Sequence, residues 1–386
     1  MLHFTPNEFD GRVERVRQAL RASKLDAILL FAQESHYYLT GYDSAGYKHF
    51  QSAVLTADDT PITLLTRRPD LQQARRTSTM TDIRIWYDTV DANPAEDLKR
   101  ILEEKGLRGA RIGVELATYG LTGANWERLR NALDGWCVWS DASSIVQELR
   151  SVKSDEELVY VRKAAALADD AVITLFDTGR AGVSEASVIA AIDASASSAG
   201  GDICDSPRIF GSGPKAILFR PTTGSRVMKD GEQVTIEWAG VSRRYHAAIF
   251  RTAAIGRANS AHRSLFPIVR DALEAMTEAA APGQPVGKID EAYRRVFDAA
   301  GYAENRVATS GYSMGATFPP KGIMDYPPLL FAGNSAIAKP GMVFFLHAVY
   351  ANEQTGAAMT LGHSILITQT GREVLSRLPL EYRELL

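Results

Sequence analysis

Apolar positions in the first 150 residues alternate between two periods. Over Phe9–Ala22, the residues Phe9, Val13, Val16, Ala19 and Leu20 recur at helical spacing with basic residues between them, which predicts an amphipathic helix. Asp26–Phe31 (DAILLF) is a short apolar run and reads as a buried strand. Val54–Thr56 and Ile62–Thr66 (ITLLT) predict two further strands, split by the turn residues Ala57-Asp58-Asp59-Thr60-Pro61. Ala110–Glu115 (ARIGVE) predicts another strand, and Thr122–Leu133 a helix. Such alternation is the pattern of an α/β unit.

The pattern changes after Arg150. Ser154, followed three residues later by Glu157, is a capping box and marks a helix start. That helix is expected to run to about Thr178, with Gly179 as its C-cap. Further helices are expected near 184–198, 260–281 and 288–300. Alternating stretches predict two antiparallel hairpins, 233–241 with 244–255 and 341–350 with 357–368. The expected organisation is an α/β domain over 1–150 and an α+β domain with antiparallel sheet over 151–386.

A length of 386 residues suits two domains. Apolar residues at 45% and charged residues at 23% are usual for a globular chain. A net charge of −3 gives no basic excess, which argues against nucleic acid as a partner. No stretch of eighteen apolar residues exists, so no membrane span is expected. The first twenty residues lack an apolar signal region. Cys137 and Cys204 form neither a CxxC pair nor a disulfide framework, which suits the cytoplasm.

The chemistry concentrates in Gln233–Arg257, QVTIEWAGVSRRYHAAIFRTAAIGR. With a two-residue loop at Ser242-Arg243, Val241 pairs with Arg244 and Glu237 lies opposite Ala248. Alternation then places Glu237, Ala239, His246 and Ala248 on one face. A carboxylate there acts as a base, a nucleophile or a cation anchor, or is simply half of a structural ion pair. His246 relays a proton, fixes the carboxylate, or only caps the sheet edge.

This hairpin resembles the one that carries two metal-binding aspartates in the pita-bread enzymes: methionine aminopeptidase, aminopeptidase P and prolidase. The capped helix after Arg150, the Arg251-Thr252 end of the hairpin, Lys339-Pro340-Gly341-Met342-Val343 and Ser364-Ile365-Leu366-Ile367-Thr368 fall in the family's order. The resemblance implies a creatinase-like N-terminal domain and a pita-bread C-terminal domain. The family's metal site uses two Asp, one His and two Glu. Carried over by position, Glu237 stands at the first Asp and Ala248, eleven residues on, at the second. Tyr312 stands at the His, and His347 and Gly362 at the two Glu positions. The resemblance therefore implies the scaffold without most of its metal ligands, and the expectation is a metal-independent enzyme with no cofactor. Glu237, His347 and His363 remain a set that suits a single zinc or iron.

Within the family the closest resemblance is to the ectoine hydrolase branch, then to creatinase. It rests on Leu39-Thr40-Gly41-Tyr42-Asp43 with Gln51, on Glu237 to Thr252, and on Gly311 to Pro320. Two departures stand out. Ser44–Phe50 is not the aromatic segment of that branch, and Phe219 or Arg220 replaces the His before the hairpin. The resemblance implies hydrolysis of a C–N bond in a small zwitterionic amidine, guanidine or amide. Glu237 would attack the carbon or activate a water, assisted by His246. His347 and His363 would protonate the leaving nitrogen, and Tyr312 and Tyr245 would hydrogen-bond the tetrahedral centre. Phe250, Arg220, Tyr47, Lys48 and His49 would bind substrate. A homodimer is implied, with Tyr47, Lys48 and His49 serving the partner's pocket. The alternatives are an Xaa-Pro metallopeptidase, a metal-dependent lyase on this scaffold and a non-catalytic relative.

Overall fold

A computed structural model describes residues 2–203, 209–221, 223–307 and 309–386. Cys204 lies outside the described residues. Two units divide the chain, Met1–Arg150 and Ser151–Leu386.

In the first unit the strands are β1 (Ala27–Leu30), β2 (Ser52–Thr56), β3 (Thr63–Arg67), β4 (Asp82–Trp86), β5 (Arg111–Val114) and β6 (Val138–Asp141). Among the described residues they form one mixed sheet in the order β4-β3-β2-β1-β5-β6. The helices are α1 (Pro6–Ala22), α2 (Gln33–Thr40), α3 (Leu71–Thr77), α4 (Pro94–Glu104), α5 (Gly123–Leu133) and α6 (Ser143–Ser151). Ala27 and Leu29 pack against α4 and α5, while Ile28 and Leu30 pack against α1, α2 and α6. A strand covered on both faces needs a continuous apolar run, which is what DAILLF supplies. Tyr47 sits buried in a short 3₁₀ turn, with Lys48 and His49 exposed beside it.

In the second unit the helices are α7 (Asp155–Thr178), α8 (Glu185–Ser198), α9 (Ser260–Ala279) and α10 (Gly287–Ala299). The strands are β7 (Ile209–Ser212), β8 (Gln233–Ser242), β9 (Tyr245–Ile255), β10 (Gly311–Ser313), β11 (Leu329–Leu330), β12 (Val343–Asn352) and β13 (Ala357–Ile367). The two short strands Arg372–Val374 and Glu384–Leu385 pair with β13 and β9. Sheet order is β11-β10-β12-β13-β9-β8-β7. The capping box forms, with Ser154 Oγ accepting from Glu157 N–H and Glu157 from Ser154 N–H. Gly179 is the C-cap, but its φ of −77° is not left-handed. A Cβ there would meet the Leu175 carbonyl oxygen at 2.7 Å, so close approach is what calls for glycine.

All the packed helices cover one face of this sheet. Val172 and Leu175 of α7 pack on Ile236 and Trp238 of β8 and on Ile249 and Ala253 of β9. Leu273 and Met276 of α9, with Phe297 of α10, pack on Phe344 and Leu346 of β12 and on Leu361 and Ile365 of β13. The alternate residues of the same strands point to the other face.

The hairpin turn corrects one expectation. Ser242 pairs with Tyr245, so the turn is Arg243-Arg244 and Glu237 pairs with Phe250, not Ala248. Both turn residues have left-handed backbones, with φ of 50° and 67°, as a tight two-residue hairpin requires. Outside partners hold them there. Arg243 N–H donates to Asp202 Oδ2 at 2.5 Å, the Arg244 carbonyl accepts from Thr317 N–H, and the Arg244 guanidinium lies over the Phe318 ring.

Candidate active site

Register places the candidate residues on one rung. Ile209, Glu237, Phe250, Gly362 and His347 are successive partners across β7, β8, β9, β13 and β12. Direct partners share a face, and this is the face without helices. Glu237, Phe250 and His347 line a cavity of about 410 Å³. Gly362 keeps the floor low: a Cβ there would meet the Leu346 carbonyl oxygen at 2.8 Å and Phe250 Cβ at 3.0 Å.

Below the floor, the buried Arg251 Nη1 donates to the carbonyls of Phe250 at 2.9 Å and Gly362 at 2.7 Å, fixing two members of the rung. Sequence reading left Arg251 out of the site; its position next to Phe250 at the end of the hairpin was the available signal.

The Tyr312 hydroxyl donates to Glu237 Oε1 at 2.8 Å. Burial pushes the Glu237 carboxyl up to about 7, against the opposing pull of that hydrogen bond and of the Arg220 charge. Burial and the Glu237 charge push the Tyr312 phenol well above its ordinary value, so it stays a donor. His347 lies among aromatic rings, 5.9 Å from Tyr312, 5.3 Å from Phe345 and 6.4 Å from Phe250 between centroids. Burial holds its imidazole down to about 4, and its Nδ1 makes no hydrogen bond among the described residues. Arg220 and Phe219 line the cavity too, from the segment after β7.

Three sequence expectations are corrected. His246 shares the face of Glu237 but pairs with Val241, four residues along β8, which is about 13 Å at strand rise. It lines a separate cavity of about 10 Å³. Its Nδ1 lies 3.3 Å from the Gly315 carbonyl oxygen and 3.2 Å from Thr317 Oγ1, and burial holds it down to about 4. His363 follows Gly362, so alternation turns it to the helix face, where its Nε2 meets Thr277 Oγ1 of α9 at 2.9 Å. Burial and the Arg251 charge hold His363 down to about 3, so it is no proton donor near neutrality. Tyr245 also points to the helix face. Its hydroxyl donates to Glu157 Oε1 at 2.7 Å and its ring stacks on Tyr160.

The rim contains residues that sequence reading undervalued. Pro320, Lys321, Ile323 and Met324 line the cavity from the loop after β10, and Lys321 Nζ pairs with Asp325 at 3.3 Å.

The donor set does not fit the two-metal centre of the family it resembles. Of the five positions, Ala248 and Gly362 carry no ligand atom and Tyr312 spends its hydroxyl on Glu237. Among the described residues Glu237 is the only carboxylate that lines the cavity, and His363 is turned away. Among the described residues no group of three His, Cys, Asp or Glu side chains stands together as a metal site. That removes the single-metal set of Glu237, His347 and His363 as well.

Comparison with known proteins fits this architecture. Metallopeptidase family M24 matches residues 159–369, and the creatinase/prolidase N-terminal domain matches residues 12–152. The chain belongs to metallopeptidase family M24. It is a hydrolase of the M24/creatinase group, with the pita-bread domain following the creatinase-like one. Ectoine hydrolase of Halomonas elongata is 27% identical, covering 98% of this chain and 97% of the relative. An uncharacterized hydrolase/peptidase of Sinorhizobium fredii is 29% identical, covering 99% and 98%. Dipeptidase PepE from Mycobacterium ulcerans shares the fold with a TM-score of 0.86 at 22% identity, covering 99% of each chain. Prolidase from Thermococcus sibiricus does so with a TM-score of 0.87 at 19% identity, covering 97% and 99%. No helix among the described residues is long and apolar enough to cross a membrane.

Proposed function

We propose that this M24 member hydrolyses a non-peptide C–N bond at the cationic carbon of an amidine or guanidine, without a metal, on ectoine- or creatine-like substrates. The observation that carries the reading is Glu237, held by the Tyr312 hydroxyl at 2.8 Å, where the other four ligand positions are Ala248, Tyr312, His347 and Gly362 and none is a carboxylate. Where two metal ions would supply positive charge, a cationic substrate supplies its own.

The ionised Glu237 takes a proton from a water as that water's oxygen bonds to the amidinium carbon. The protonated Glu237 then returns the proton to the leaving nitrogen as the C–N bond breaks, so one carboxyl serves as base and then as acid. A group raised to about 7 suits both roles near neutral pH. His347, neutral above about 4, offers its free Nδ1 as a hydrogen-bond partner for a substrate nitrogen, not as a source of protons. Arg220 pairs with a substrate carboxylate at the mouth. The reading includes a homodimer, with the exposed Lys48 and His49 of one protomer at the other's cavity; Tyr47, buried in its own protomer, does not take part.

The test is elemental analysis of the purified protein, run beside hydrolysis of ectoine, hydroxyectoine, creatine and Xaa-Pro dipeptides after chelation. Turnover of an amidine or guanidine that persists with less than about a tenth of a metal per chain supports the reading. Stoichiometric metal, with activity lost on chelation or confined to dipeptides, overturns it. Sedimentation, with mixed-variant complementation, tests the dimer.

A further inference from the structure

Most of the cavity wall is hydrocarbon. The polar lining is Glu237, Tyr312, His347 and Thr309, with the exposed Arg220 and with Lys321, which pairs with Asp325, while Ile209, Phe219, Phe250, Met324, Leu329 and Val349 make up much of the rest. At about 410 Å³ the space falls within the range of roughly 300–1,000 Å³ that accepts drug-sized ligands. One six-membered ring with a carboxylate fills only part of it. Water left against these side chains in a bound complex would forgo the apolar burial they offer.

The layout also fixes a direction. Glu237 and Phe250 are direct cross-strand partners, so their Cβ atoms are about 5 Å apart. A flat group lying on the Phe250 ring therefore carries a substituent beside the Glu237 carboxylate. Phe219 and Met324 come from two different segments, one after β7 and one after β10, and face the same space.

We propose that the substrate presents an amidinium or guanidinium head to Glu237 and an apolar group at least as large as a phenyl ring to the wall built by Phe250, Phe219 and Met324. This rests on the reading of Glu237 given above and narrows it within ectoine- and creatine-like chemistry: aryl- or bulky alkyl-bearing amidines and guanidines are turned over faster than ectoine and creatine themselves.

Calorimetric titration with benzamidine and acetamidine at pH 8 tests it without requiring turnover. The expected result is benzamidine at least tenfold tighter than acetamidine in the wild type. Phe219→Ala and Met324→Ala, each checked for folding by circular dichroism, are expected to remove most of that advantage while changing acetamidine binding less than about twofold. Glu237→Gln is expected to weaken both ligands at least tenfold. Equal affinities in the wild type, or an advantage that survives both wall variants, overturn the apolar-group assignment. Undiminished benzamidine binding by Glu237→Gln, or no binding of either ligand at millimolar concentration, overturns the head-group assignment. Failure of the hydrolase reading shows separately, as a retained benzamidine preference with no amidine or guanidine turned over.

Discussion

Tyr312 reaches Glu237 at 2.8 Å although β10 and β8 lie four strand steps apart in the sheet. At about 4.8 Å per step a flat sheet would separate them by about 19 Å, well beyond the combined reach of the two side chains. The sheet therefore curls toward the face without helices, and the cavity is the inside of that curl. The hydrogen bond closes the curl and favours the ionised acid against the larger upward push of burial.

Activity is expected to rise with pH through about 7 as Glu237 ionises. Glu237→Gln should lower kcat by about 10²–10⁴-fold. Tyr312→Phe removes a bond that favours the carboxylate, so the rising limb should move to higher pH. A kcat/KM profile settles this: a limb that stays put or moves to lower pH in Tyr312→Phe removes Glu237 as its origin.

The two histidines should separate. His347→Ala is expected to lower kcat/KM with little loss of stability. His363→Ala should leave kcat nearly unchanged and destabilise by about 1–2 kcal/mol, because it breaks a buried bond to Thr277. Urea midpoints measured beside kinetics decide it, and a turnover defect in a normally stable His363→Ala would contradict the assignment of His363 to the helix face.

Stability carries its own signature. Glu237 holds its proton more tightly folded, at about 7, than its ordinary value of 4.5. The unfolded chain therefore binds fewer protons between those values, and stability falls as pH rises through that window. Glu237→Gln, which cannot ionise, should match the wild type near pH 4.5 and exceed it at pH 8 by about 3 kcal/mol. Equal urea midpoints at pH 8 would show that the carboxyl is not raised.

Gly362→Ala is expected to cost about 1–3 kcal/mol and to depress turnover, because its methyl meets the Leu346 carbonyl and Phe250 together. Thermal unfolding and single-turnover rates measure the two effects. A neutral outcome would mean that the floor yields, and that a larger side chain fits there.

Legibility in the sequence followed the range of the interaction. Local signals were strong: the Ser154–Glu157 capping box, the helices after it and both long hairpins stand where patterning placed them. Register was weaker, because which two residues form the turn depends on Asp202 and on Thr317 and Phe318, distant in sequence. A turn displaced by one residue moves every pair by two. Faces were thus preserved while His246 slid along the strand, away from Glu237. His363 and Tyr245 were misassigned for a simpler reason: each is one residue out of phase with a cavity-facing neighbour, Gly362 and His246, and strand alternation already said so. The Tyr312–Glu237 bond was not legible, since nothing local specifies how far a sheet curls.

That curl has a consequence for how the site is inherited. The acid and the hydroxyl that tunes it come from strands separated by three others in the sheet, and by β9, α9 and α10 in the chain. The hairpin cannot be transplanted as a working part: grafted elsewhere, it would bring the carboxylate and leave behind what makes it reactive. Variation that alters curvature anywhere along β12 or β13 reaches the acid without touching it. The unit on which selection acts here is the shape of the whole sheet, and single-residue motifs are a poor guide to which relatives share this chemistry.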